Sequence, residues 1–189
     1  MQVLVETSAR HVHLCREDMD ILFGKNSELT KRSFLSQPGQ FSCMERVDII
    51  GPNSEICGVS VLGPLRKHTQ VEISLTDARK LSVDAPIRDS GDIDNTPGCK
   101  LRGPAGTVVI KNGLIVAKRH IHLDPKTAKE INVADNQKVC VKIESKARSL
   151  IFDQVYIRVN KDFLPAMHID TDESNAAGIF SKTYGDILV

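Results

Sequence analysis

The sequence predicts a mainly β protein built from two small, interlocked β-barrel domains, each capped by short α-helices and related by an internal repeat. Three observations support this prediction. Apolar residues follow a period of two, turn-forming residues bound the short apolar stretches, and one pentapeptide occurs twice, as Arg10–Leu14 (RHVHL) and Arg119–Leu123 (RHIHL). No linker rich in Gly, Ser or Pro separates the two copies, which favours interlocked domains over tethered ones.

Several short stretches are predicted to be strands because they alternate or are rich in β-branched residues. They are Val3–Val5, Val71–Leu75, Thr107–Ile110, Leu114–Ala117, Val139–Ile143 and Val155–Val159. Asn112-Gly113 lies between two of these strands and is typical of a two-residue hairpin turn, in which both turn positions need positive φ. We therefore expect Thr107–Ile110 and Leu114–Ala117 to pair as a hairpin.

Short helices are predicted at four places, bounded by capping residues, Gly or Pro. They are Arg16–Phe23, Thr76–Lys80, Pro125–Ile131 and a turn at Ser174–Ala177. The repeat places the domain boundaries as follows. The first barrel is expected to comprise residues 1–9 and 118–189, and the second barrel residues 10–117.

Composition narrows the class of protein. The chain has 189 residues and a formal net charge of +1, so it carries no basic field for nucleic acid or an anionic membrane. Its five cysteines are scattered, with no C-x-x-C, which indicates a reducing compartment. No secretory signal appears, and no apolar stretch approaches the roughly 18 residues of a membrane span. We expect a cytoplasmic protein that binds neither nucleic acid nor membrane.

Known catalytic motifs are missing from the sequence. It has no G-x-G-x-x-G after a strand, no phosphate-binding G-x-x-x-x-G-K-[ST] loop and no G-x-S-x-G nucleophile turn. Nucleotide-dependent kinase chemistry and serine hydrolysis therefore lose support. Metal-assisted transfer or hydrolysis remains.

The two His-x-His pairs are the strongest functional signal. Residues i and i+2 of a strand share a face, so His11 with His13, and His120 with His122, each present two imidazoles together. Random placement of the histidines would give about 0.2 such pairs. The alternative interpretation is that these histidines are structural residues with hydrogen-bond partners at half-buried strand ends. The repetition of the His-x-His pair makes this alternative less favoured. Imidazole ligands without cysteine suit zinc, cobalt, nickel, copper or iron, and availability favours zinc.

Two further residues are candidate metal ligands, and a third is a candidate for binding phosphate. His168 precedes a predicted helical turn and is the natural third ligand for one pair, although a lone histidine is more often structural. Glu72 is a carboxylate within an alternating apolar run and is a candidate ligand. The alternative is that it lies on the solvent-facing side of a half-buried strand. Arg66 follows a Gly-Pro turn and has the geometry for two hydrogen bonds to phosphate, a surface cation being the alternative.

At these residues the sequence resembles the PduL family of phosphate acyltransferases, or phosphate propanoyltransferases. The matching segments span nearly the whole chain: VETSARHVHL, GPLRKHTQVEIS, APIRDSGD, GTVVIKNGLIVAKRHIHL and MHIDTDESNAAG. The resemblance implies reversible conversion of a short-chain acyl-CoA, such as propanoyl-CoA or acetyl-CoA, and inorganic phosphate into acyl phosphate and CoA. It also implies two small β-barrels and two Zn2+ ions per chain.

The resemblance also implies roles for individual residues. One zinc would be held by His11, His13 and Glu72, and the second by His120, His122 and His168. Arg66 resembles an essential arginine that orients phosphate. Ser8 and Asn175 match positions at which the family contacts CoA.

The family further suggests a homodimer or larger homo-oligomer. Members packaged in bacterial microcompartments carry an amphipathic N-terminal extension, whereas this sequence begins at the first predicted strand. A cytoplasmic location is thus expected, with microcompartment packaging beside other enzymes as the alternative. Two other functions stay open from the residues alone: metal-dependent hydrolysis of a thioester or ester, and a non-catalytic binding module stabilised by metal.

Overall fold

The computed structural model describes residues 1–188 and confirms the mainly β fold. Within these residues the chain forms fifteen strands and four helices. The strands are β1 (Gln2–Thr7), β2 (His11–His13), β3 (Lys31–Phe34), β4 (Phe41–Ile50), β5 (Glu55–Gly63), β6 (Gln70–Glu72), β7 (Ile87–Arg88), β8 (Cys99–Arg102), β9 (Thr107–Ile110), β10 (Leu114–Ala117), β11 (His120–Leu123), β12 (Lys138–Ile143), β13 (Leu150–Val159), β14 (Ala166–Ile169) and β15 (Thr183–Leu188). The helices are α1 (Arg16–Phe23), α2 (Leu75–Leu81), α3 (Pro125–Glu130) and α4 (Thr171–Ala177). None of these helices is long and apolar enough to cross a bilayer.

The chain divides into two compact units. The barrel unit comprises Met1–Ser8, Ser36–Pro38 and the residues from Lys118 onwards, and the sheet unit comprises Ala9–Leu35 and Gly39–Ala117. Strand β1 of the barrel unit is followed by β2 of the sheet unit, and β10 of the sheet unit is followed by β11 of the barrel unit. The chain therefore passes from one unit to the other just before each His-x-His pair.

The barrel unit closes on itself. Its strands are ordered β1-β14-β11-β13-β12-β15, and β15 pairs again with β1. Along β12 the buried residues are Val139, Val141 and Ile143, so one face of the alternating strand lines the core. Ile121, on β11, packs into the same core and is completely buried. A closed ring leaves no exposed sheet edge, which makes this unit a rigid support for β11 and β14.

The sheet unit forms one curled, open sheet rather than a closed ring. Its strand order is β7-β10-β6-β2-β5-β4-β8-β9, and β3 pairs with β4 outside this path. The helix α1 packs Met19 and Leu22 into its core, where both are fully buried together with Leu14. One of the two expected barrels is thus closed and the other is a half-barrel.

The predicted hairpin at Asn112-Gly113 is wrong. Strand β9 pairs with β8, whereas β10 lies between β6 and β7 and runs parallel to both. Of the dipeptide, only Gly113 has a positive φ, +115°, among the described residues, whereas the expected hairpin turn needs two. Thr96 Oγ1 accepts a hydrogen bond from Gly113 N at 2.8 Å, which directs the chain toward β6. The apolar run of β10 is unbroken and almost entirely buried. This pattern is typical of a strand that pairs in parallel and is covered on both faces.

Helix boundaries follow their capping residues. Helix α1 begins and ends where the sequence predicts, and α3 ends one residue early. The predicted strand at Val71–Leu75 stops at Glu72 because Ser74 caps α2, its hydroxyl accepting from Asp77 N at 3.2 Å. Helix α4 begins at Thr171, earlier than expected, because Asp170 caps it through Glu173 N at 2.9 Å.

Candidate active site

The first His-x-His pair is completed by the neighbouring strand of the sheet unit. Strand β2 pairs antiparallel with β6, so that His11 lies opposite Glu72 and His13 lies opposite Gln70. All four side chains are buried. Ligand atoms of His11, His13 and Glu72 lie within 4.8 Å of one another, the one such group found among residues 1–188. The sequence-predicted donors are therefore brought together.

Hydrogen bonding of Nδ1 leaves the other ring nitrogen of His11, Nε2, available as a ligand. Its Nδ1 lies 2.8 Å from Ala9 O, and because a carbonyl only accepts, Nδ1 is the donor. His120 repeats this contact, with Nδ1 2.8 Å from Lys118 O. Such a hydrogen bond to backbone is the usual outer support of a metal-binding imidazole.

Burial and mutual interaction set the charges of this cluster. Burial alone would raise the pKa of Glu72, but the adjacent His11 and His13 and the hydrogen bond from Ser90 together lower it. His11 shows the converse, since burial opposes its protonation while Glu72, 3.5 Å away, raises the pKa overall. Burial, with repulsion from His11 and Arg66, lowers the pKa of His13 to about 3. His13 is therefore neutral, as a ligand must be.

Glu72 also belongs to a polar network that sequence reasoning missed. Its Oε1 accepts from Gln70 Nε2 at 2.6 Å and from Ser90 Oγ at 2.7 Å. Arg66 Nη1 donates to Ser90 Oγ at 3.0 Å, which links the predicted phosphate-binding residue to the cluster. The 86–92 segment is rich in turn-forming residues, and this composition gives no sign that it supplies Ser90.

Arg66 is held at both ends. Its backbone N donates to Leu14 O at 2.9 Å, and its guanidinium reaches Ser90. Burial lowers the pKa of Arg66 below its ordinary value, and the guanidinium stays charged at neutral pH. The structure therefore presents a fixed, partly buried cation beside the cluster rather than a mobile surface charge.

The second His-x-His pair repeats this construction in the barrel unit. Strand β11 pairs antiparallel with β14, which places His120 opposite His168 and His122 opposite Ala166. The three imidazole centroids are 4.7 to 5.2 Å apart. His168 Nε2 also lies 3.7 Å from Glu6 Oε2. The three histidines thus cluster around one point of the barrel unit.

His122 has a strongly lowered pKa in the second cluster. Burial, then repulsion from His120 and His168, lowers its pKa to about 2. Its Nδ1 is buried and has no hydrogen-bond partner among the described residues. The centroids of the His122 and Phe163 rings are 4.0 Å apart. A neutral, buried and unsatisfied imidazole is costly unless another group binds it.

The arginines of the two pentapeptides point away from the ligands and support the helices that follow the ligand strands. Arg10 Nε donates to Asp77 Oδ2 at 2.8 Å, and Arg119 Nε lies 3.2 Å from Glu173 Oε1. Asp77 and Glu173 are the equivalent capping-box residues of α2 and α4. The repeat therefore includes the helix beyond each third ligand.

The remaining sequence-predicted residues lie apart from these contacts. Ser8 follows β1 and its N donates to Ile169 O at 2.7 Å, whereas Asn175 is an exposed residue of α4. Both belong to the barrel unit. His68, to which the sequence gave no role, is exposed.

Comparison with known proteins shows the family of the chain. The model of the phosphate propanoyltransferase family matches residues 4–180. The chain is 54% identical to a phosphate propanoyltransferase of Thermotoga maritima over 93% of this chain and 83% of that protein. Phosphate propanoyltransferases of Listeria monocytogenes and Clostridioides difficile are each 52% identical, over 98% and 97% of this chain and 87% and 88% of their own lengths. The matched region includes both histidine clusters and Arg66, and the chain therefore belongs to the phosphate propanoyltransferase family of acyltransferases.

Proposed function

We propose that this chain reversibly converts a short-chain acyl-CoA and inorganic phosphate into an acyl phosphate and CoA. The observation that carries this proposal is the buried cluster of His11, His13 and Glu72, joined through Ser90 to the cation of Arg66. The names of the relatives make propanoyl-CoA the first substrate to test, and acetyl-CoA the second.

The two clusters fit zinc by the chemistry of their donors. His11, His13 and Glu72 supply two nitrogens and one oxygen, and His120, His122 and His168 supply three nitrogens. Three protein ligands with a fourth position open are typical of catalytic zinc. The three imidazoles have centroids 4.7 to 5.2 Å apart, and the lowered pKa of His122 keeps it neutral, as a ligand of a cation must be, which supports a bound cation in the second cluster. When bound, zinc would supply Lewis-acid stabilisation of negative charge on oxygen or sulfur.

Arg66 has the task of binding and orienting phosphate. A phosphate oxygen attacks the thioester carbonyl carbon, a carbon–oxygen bond forms, and the carbon–sulfur bond then breaks. Phosphate attacks the thioester directly, so no covalent acyl-enzyme is needed, and the proton lost by hydrogen phosphate balances the one gained by CoA thiolate. The guanidinium favours this step by holding the anion in place and by offsetting charge repulsion. Ser8 and Asn175 are proposed to contact CoA.

The decisive experiment is an assay of thiol release with and without phosphate. Purified chain is incubated with propanoyl-CoA, free CoA is measured with a thiol reagent, and acyl phosphate is trapped with hydroxylamine. We expect CoA release to require phosphate and to match acyl phosphate formation. Release that ignores phosphate would indicate a thioester hydrolase, and the absence of release a non-catalytic metal-binding module. Either result contradicts the proposal.

The family also leads us to propose a homodimer or larger homo-oligomer, in the cytoplasm or packaged with other enzymes in a bacterial microcompartment. Light scattering after size-exclusion chromatography tests the assembly. A mass of at least two chains is expected, and a monomer would contradict it.

A further inference from the structure

The hydrogen bonds around Ser90 determine the direction of every proton in the network. Ser90 Oγ lies 3.0 Å from both Arg66 Nη1 and Gln70 Nε2, and 2.7 Å from Glu72 Oε1. Guanidinium and amide nitrogens only donate, so Ser90 accepts from both of them. A hydroxyl has one hydrogen, which therefore points at Glu72.

The orientation of the Gln70 amide is fixed in the same way. Gly91 N donates to Gln70 Oε1 at 2.7 Å, so that the other end of the amide is the nitrogen. Its two hydrogens reach Glu72 Oε1 at 2.6 Å and Ser90 Oγ at 3.0 Å. Gln70 is 2% exposed, so water does not compete for these bonds. Gln70 uses its amide oxygen and both amide hydrogens, and Ser90 uses its hydroxyl as donor and acceptor, so these two side chains are held in place.

The two oxygens of Glu72 consequently have different environments. Oε1 accepts two hydrogen bonds and lies 4.0 Å from His13 Nε2, whereas Oε2 accepts neither of these bonds and lies 3.5 Å from His11 Nε2. We infer that Ser90 and Gln70 are positioning residues, which hold Glu72 as a one-oxygen ligand through Oε2 and tie Arg66 to the same carboxylate. This inference rests on the zinc site of the proposed function.

The repeat shows why the network surrounds this ligand. Gln70 lies opposite His13, and the equivalent position opposite His122 is Ala166. Glu72 has two oxygens and must be oriented to present one of them, whereas His168, at its equivalent position, presents a ring nitrogen. Gln70 thus occurs beside the donor that needs orienting. Ala166 shows that this strand position accepts alanine.

The test measures zinc affinity, which a merely structural role would not change at one site alone. Metal-free full-length chain and its Ser90→Ala and Gln70→Ala variants are titrated with Zn2+ against a chromogenic chelator. Loss of an outer-shell partner is expected to weaken one zinc equivalent by about 10- to 100-fold and to leave the other unchanged. Ser90→Thr should restore the affinity because it keeps the hydroxyl. Asp92→Ala, an exposed change in the same loop, should bind zinc like the parent chain.

Failure of this inference can be told apart from failure of the proposed function. Parent-like affinity for both zinc equivalents in Ser90→Ala and Gln70→Ala would overturn the positioning role even if the parent chain is an active transacylase. Site-specific loss of affinity in a chain that lacks transacylase activity would support the positioning role while removing the proposed function. If Ser90→Ala does not fold, Gln70→Ala decides the question, since the fold accepts alanine at the equivalent position.

Discussion

His11 and Glu72 lie directly opposite each other on antiparallel strands, with Nε2 and Oε2 3.5 Å apart. His120 and His168 occupy the same positions in the barrel unit. The repeat has therefore kept the backbone geometry and changed the third donor from an imidazole to a carboxylate. The two proposed ligand sets differ by one negative charge, and Glu6, whose Oε2 lies 3.7 Å from His168 Nε2, supplies a carboxylate beside the all-histidine set.

Removing the carboxylate should empty one metal site. In Glu72→Ala we expect zinc content to fall from two ions per chain to one, and activity to fall by more than about 100-fold, since the loss of even an outer-shell partner costs 10- to 100-fold. Zinc is measured by elemental analysis and activity by phosphate-dependent CoA release. Glu55→Ala removes an exposed carboxylate and should change neither. A Glu72→Ala chain with two zinc ions would contradict the ligand assignment.

Arg66 should be required for catalysis but not for metal binding. Its guanidinium contacts Ser90 rather than a donor atom of the cluster, so Arg66→Ala should retain both zinc ions. Activity should fall by roughly 100- to 1,000-fold, as when a group that stabilises developing charge is removed. Arg66→Lys keeps the charge without the two-pronged geometry and should recover only part of this loss. Parent-like activity of Arg66→Ala would refute the phosphate-binding role.

Chelation should inactivate the chain without unfolding it. Each unit has its own apolar core, including the fully buried Leu14 and Ile121, and these cores do not depend on the metal clusters. The far-ultraviolet circular dichroism of the metal-free chain should remain that of a β protein, and added Zn2+ should restore activity. Unfolding on chelation would instead indicate a structural role for the metal.

Acid should destabilise the metal-free chain. The pKa values of His13 and His122 are lowered to about 3 and about 2, mainly by burial, whereas both titrate near 6.5 when unfolded. The unfolded chain therefore binds more protons below pH 6.5, and stability falls as pH drops toward 3. The raised pKa of His11 acts in the opposite sense and offsets part of the loss.

Urea unfolding at pH 7 and pH 5 measures this effect. We expect the free energy of unfolding to decrease by on the order of 2 kcal/mol. His122→Gln removes one of the two groups and should reduce the decrease. Equal stabilities at the two pH values would show that these imidazoles are not held neutral.

Local patterns were sufficient to predict which histidines lie side by side and where several helices form. The shared face of His11 and His13 follows from strand geometry alone, and the bounds of α1 follow from Arg16–Phe23 lying just before Gly24. Side-chain contacts that depend on long-range packing could not be predicted from the sequence. Ser90 reaches Glu72 only because the fold brings the 86–92 segment beside β6, and nothing in its own composition records that neighbour.

The Asn112-Gly113 turn illustrates the same limit, and it yields a test of the strand order. Strand β10 lies beside β6, so a Cβ on Gly113 would lie 2.6 Å from Thr69 O, whereas Gly39, also with positive φ, has no atom within 4 Å of an added Cβ. Both Gly→Ala changes carry a backbone cost of about 1 kcal/mol, and only Gly113→Ala adds a collision. We expect Gly113→Ala to lower the free energy of unfolding by roughly 1–3 kcal/mol more than Gly39→Ala. Urea denaturation of the two variants measures the difference, and equal stabilities would argue against the close approach of the turn to Thr69.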